Sequence, residues 1–121
     1  MKLICSDEKL ITHFLSNNSL LDGKIEKIEI IDAGSSVCIN INFNMRSSSD
    51  YQKIQFKFVG CKGYSFSYSE DYYFYNIELL KFFQCEDGLF YISFDPCDET
   101  EVISDDDQDF ILCRKISAYI Y

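Results

Sequence analysis

Three groups of residues in this chain have types and spacings that invite chemistry: an acidic run, six cysteines and a single histidine. Asp105, Asp107 and Asp109 alternate in the manner of a calcium loop. Such a loop also needs Gly at its sixth place and Glu at its twelfth. Counted from Asp105, those places hold Phe110 and Ile116, so calcium is not expected. Ser104, Asp105, Asp106 and Asp107 instead have the spacing of a capping box, with Asp at the fourth place where Glu is usual. That spacing predicts a short helical turn running through Asp109, its acids favoured by the helix dipole.

The cysteines stand at 5, 38, 61, 85, 97 and 113. An even number means a disulfide framework in a secreted chain. Here Met1, Lys2, Leu3, Ile4, Cys5 and Ser6 lead straight to Asp7 and Glu8, without the apolar core or cleavage site of a signal peptide. The expectation is a cytoplasmic protein with free thiols, mostly buried as small hydrophobes. Structural zinc wants closely paired ligands, and these cysteines are widely dispersed, so no metal or cofactor is expected. His13 lies off the nearest apolar stripe and reads as a surface or packing residue. Neither a nucleophile–base pattern nor a phosphate-binding glycine loop is present, so no catalytic residue is assigned and the chain is read as a non-enzyme.

Charge is distributed unevenly. Residues 82–113 hold ten of the twenty acids and no Lys or Arg, while the rest of the chain carries ten acids against all eleven bases. The formal charge of -9 therefore resides almost wholly in one segment. Such a segment repels phosphates, which excludes nucleic acid as a partner. It attracts a basic partner instead, chiefly by raising the rate of encounter. No apolar run has the length of a membrane span.

The elements that position these residues follow from periodicity. A chain of 121 residues makes one domain, and 17% aromatics with one proline favour strands. Ser6 is placed to cap a helix that carries Leu10, Ile11, Phe14 and Leu15 on one face. Seven strands are then expected, over residues 24–31, 37–46, 54–58, 64–68, 77–85, 89–95 and 110–120. The clearest has Val37, Ile39, Ile41, Phe43 and Met45 facing a core. Residues 60–63 read as a turn, and Glu86, Asp87 and Gly88 as a hairpin turn. In the following arm Phe90, Ile92 and Phe94 point one way and Leu89, Tyr91 and Ser93 the other. The fold class is α+β: a predominantly antiparallel, curved sheet of about seven strands with an N-terminal helix packed on it. Tyr72, Tyr73, Phe74 and Tyr75 form an aromatic cluster whose plain reading is sheet packing, with a partner interface as the alternative.

The run Gly88-Leu-Phe-Tyr-Ile-Ser-Phe-Asp-Pro96, an acidic loop, then Ile103-Ser-Asp-Asp-Asp-Gln-Asp-Phe-Ile111 and a last strand resembles small bacterial immunity proteins of contact-dependent growth inhibition and related polymorphic toxin systems. The resemblance implies a cytoplasmic inhibitor that binds one cognate toxin domain, often a basic nuclease, and blocks its active site or substrate groove. On that reading the partner-binding residues are Asp98, Glu99, Glu101, Asp105, Asp106, Asp107 and Asp109, with Tyr72, Tyr73 and Tyr75. The alternative is an acidic adaptor domain with no toxin partner, whose charge serves solubility.

Overall fold

A computed structural model describes residues 1–71 and 75–121. Among them, seven strands and one short helix follow in the order β1 (Lys2–Ser6), α1 (Glu8–His13), β2 (Lys24–Asp32), β3 (Val37–Asn44), β4 (Lys53–Ser65), β5 (Lys81–Gln84), β6 (Phe90–Asp95) and β7 (Gln108–Ile120). All are in one antiparallel sheet, ordered β2-β3-β4-β7-β6-β5. The first half of β7 pairs with β6, and its last residues, 117–120, pair with β1.

Strict alternation on β3 gives the core its centre. Ile39, Ile41, Phe43 and Met45 are buried, and Ile41 lies opposite Ile28 on β2 and Phe56 on β4. The sheet curves until its inner face meets itself. Phe43 of β3 reaches Phe94 of β6 at 5.9 Å between ring centroids, and Phe56 of β4 reaches Phe82 of β5 at 6.0 Å. Phe14, just past α1, closes the open side, its ring edge-on to Phe56 at 5.0 Å. The expected architecture of a helix packed on a curved antiparallel sheet is what the chain adopts, and the sheet does not close into a barrel.

The count of seven strands is reached by a different partition. Residues 60–63 are not a turn: β4 runs straight through them with a bulge between Cys61 and Gly63. Gly60 has φ +66°, which a glycine adopts without steric penalty. The two predicted strands there are one, ending at Ser65. The lost strand is replaced by β1, which carries no alternation of its own and is defined by its partner β7. Ser6 therefore ends a strand, and Asp7 precedes the helix without a side-chain cap. Asp7 instead bonds back to β7, its N–H donating to Ile116 C=O at 2.8 Å and its carboxylate accepting from Ile116 N–H at 3.1 Å. Leu15, expected on the buried stripe, is 56% exposed because the helix ends at His13. The strand read over 77–85 shrinks to Lys81–Gln84, although Ile77 is buried and bonds through its backbone to Asp22 and Gly23. The predicted hairpin is present, with Cys85 N–H donating to Leu89 C=O at 2.7 Å and Gly88 at φ +88°.

Candidate functional site

β6 is buried on both faces, which the alternation of its side chains does not announce. One face, with Phe90, Ile92 and Phe94, belongs to the core. On the other, Tyr91 lies opposite Phe83 of β5 and Leu112 of β7, and Ser93 opposite Lys81 and Phe110. Tyr91 contacts the Phe83 ring at 5.5 Å and stacks on Phe110 at 5.9 Å. The acidic loop between β6 and β7 folds over this second face.

Asp107 fixes the loop in place. Its side chain is fully buried and accepts from the Lys81 ammonium at 3.0 Å, the Tyr91 hydroxyl at 2.8 Å, Cys97 N–H at 3.0 Å and Ser104 N–H at 3.1 Å. Burial works to raise the pKa of this carboxyl. The hydrogen bonds from Tyr91, Cys97, Lys81 and Ser104 outweigh it and hold the value at about 2. Lys81, equally buried, also donates to Val102 C=O at 2.7 Å and lies 3.4 Å from Asp98. Its burial opposes the ammonium, but the bonds and charges of Asp107 and Asp98 raise its pKa on balance. Burial, then the bond to Asp107, raises the Tyr91 phenol, so that it serves as a fixed donor. A buried charge pair of this kind is a weak source of net stability, but a carboxylate with four donors has one position only.

Only half of the expected capping box forms, at the Asp107 carboxylate, because Ser104 Oγ takes the N–H of Asp106 and not that of Asp107. Asp106 N–H donates to Ser104 Oγ at 3.1 Å while Ser104 N–H reaches the Asp107 carboxylate. No helix follows: β7 already starts at Gln108, and the predicted helical turn is a simple turn. Asp109, at φ +51° on this strand, is buried and accepts from Ser67 N–H at 2.8 Å.

The expected partner-binding residues thus divide. Asp98, Glu99, Glu101, Asp105 and Asp106 are each exposed, on the loop between β6 and β7. Asp107 and Asp109 do not belong with them: both are buried in the fold, Asp107 against Lys81 and Tyr91 and Asp109 against Ser67 N–H. Tyr75 is half-buried against the core, and its carbonyl accepts from Ile25 N–H at 2.7 Å. Tyr72 and Tyr73 lie outside the described residues. Lys81 was missed because it stands one residue before the base-free stretch. The available signal was a lone lysine between Leu80 and Phe82 in an apolar run. Also missed were Val102 and Ile103, which the loop leaves 64% and 46% exposed among the acids.

The remaining chemistry-bearing residues do not assemble. Among the described residues no group of three or more His, Cys, Asp or Glu side chains could hold a metal ion. His13 contacts the Tyr51 hydroxyl at 2.6 Å on the surface. The cysteines are free, and burial pushes Cys61 up to about 11 and Cys113 up to about 12, which makes both unreactive as thiolates. No helix of the described residues is long and apolar enough to cross a membrane. Comparison with protein families, curated proteins and solved structures gives no match for this chain.

Proposed function

We propose that this chain is a non-catalytic cytoplasmic inhibitor of the immunity-protein kind, which binds a basic, nuclease-type toxin domain and covers its active site or substrate groove. The observation that carries this reading is the exposed set Asp98, Glu99, Glu101, Asp105 and Asp106, which flank exposed Val102 and Ile103 in sequence on a loop fixed by Lys81 and Asp107. Apolar anchors inside a charged rim are the anatomy of a protein interface. The clamp matters as much as the charge, because a loop ordered in advance loses less entropy on binding. Carboxylates spaced along such a loop occupy the cationic positions that a nuclease keeps for phosphates.

The test is genetic and then biochemical. The reading frame beside this gene is expected to encode a basic domain that arrests growth when expressed alone. Co-expression of this chain restores growth, and the two proteins purify together in equal amounts. Arrest that persists under co-expression, with no complex on size-exclusion chromatography, contradicts the proposal.

A further inference from the structure

Among the described residues β5 is the last strand of the sheet, and one edge of its backbone has no partner strand there. Because Cys85 N–H bonds to Leu89 across the hairpin, the alternation of an antiparallel ladder turns the backbone groups of Gln84 to the open edge. Alongside runs a groove of about 440 Å³, between residues 83–86 of the hairpin and residues 101–103 of the acidic loop. Val102 and Ile103 give it an apolar wall, and Phe83 lies buried beneath. Glu86 and Glu101 stand exposed at its sides, and none of its lining residues is basic. Lys81, on the same strand, does not neutralise it, because its ammonium is turned inward to Asp107, Asp98 and Val102 C=O.

We infer that this groove receives an extended basic segment of the partner protein. Alternating side chains suit such a strand to a groove with one apolar wall and two acids. The segment's apolar residues rest on Val102, Ile103 and Phe83, and its Lys or Arg residues pair with Glu86 and Glu101. Its backbone bonds to the open edge of β5. Charge decides the class of occupant: an acidic peptide or a nucleic acid is repelled from both sides of the groove. The inference rests on the reading of this chain as a binder of a basic protein, and it names the part of that protein which is bound.

The experiment follows backbone amide shifts of the whole chain by NMR during titration with three seven-residue peptides. One alternates Val with Lys, one Ser with Lys, and one Val with Glu. The Val–Lys peptide is expected to shift residues 83–86 and 101–103 together and to saturate. The Ser–Lys peptide binds there about threefold more weakly or worse, having no apolar face to bury. The Val–Glu peptide leaves the spectrum unchanged. In an otherwise intact Glu86→Gln/Glu101→Gln variant, affinity for the Val–Lys peptide falls about fivefold, as the loss of two exposed ion pairs implies. Shifts on the acidic loop that spare residues 83–86, or equal binding of the two lysine peptides, overturn the groove while leaving a basic partner in place. No shift with either lysine peptide likewise overturns the groove, and the basic partner is then decided by the co-expression test alone.

Discussion

At Asp107 one carboxylate answers four donors, and its removal has two consequences that can be separated. Asp107→Ala leaves the Lys81 ammonium buried with Asp98 alone for a charge partner, which is expected to destabilise the fold by about 3–5 kcal/mol. Lys81→Met added to Asp107→Ala removes the stranded charge, so the double variant is expected to be more stable than Asp107→Ala by itself. Denaturant unfolding measures both, and a double variant less stable than the single one contradicts the pairing. The same carboxyl makes stability depend on pH. Its folded value of about 2 lies below that of an unfolded aspartate, so its contribution is complete above about pH 4 and is lost as the pH falls toward 2. Lys81 has the opposite sign, its raised value giving a contribution that is lost only above the ordinary lysine range. Between pH 5 and pH 2 the wild type should therefore lose about 2 kcal/mol more than Asp107→Asn, and equal losses would mean that the carboxyl is not depressed.

Among the elements, β4 is where the sequence pattern and the fold part most clearly. Glycines at 60 and 63 around Cys61 and Lys62 have the composition of a turn, and the same composition serves a bulge. Which one forms depends on whether a partner strand runs past, and β7 does so from Phe110 to Ile120. The glycines are not equivalent. Gly60 has φ +66° and a Cβ there would lie 3.2 Å from the Arg114 side chain, whereas Gly63 has open space. Gly60→Ala is expected to destabilise by about 1–2 kcal/mol and Gly63→Ala to be neutral within about 0.5 kcal/mol. Equal effects in thermal unfolding would restore the turn. β1 was illegible for a related reason: five residues without alternation become a strand only through their ladder with residues 117–120. β3 lies at the other extreme, since its alternation is a local record of one buried face. Ile41→Asp should unfold the chain because it leaves a charge in the core, and Asn42→Asp should be nearly silent because it keeps an acceptor for Gln55 at 2.8 Å. A melt in which both are mild contradicts the register.

For the molecule as a whole, the sequence revealed where the negative charge lies but not which of its members face water. Neighbouring acids of identical type divide at Asp106 and Asp107, one exposed and one buried, because the Lys81 ammonium that claims Asp107 comes from a strand 26 residues earlier. Such a pairing leaves no local pattern. The exposure of Val102 and Ile103 was hidden likewise, since nothing in an apolar side chain's type says that its loop turns it outward. On the proposed function, the exposed acids of a clamped loop meet a basic partner. Association kinetics with the growth-arresting partner at low and moderate salt decide this. The wild type is compared with a variant carrying Glu99→Gln, Glu101→Gln, Asp105→Asn and Asp106→Asn, which leaves the clamp untouched. The expected result is association slower by about tenfold or more at low salt, a flattened salt dependence and unchanged thermal stability. Identical association rates for the two proteins at every salt concentration would contradict the claim and reduce the acidic loop to a solvated surface.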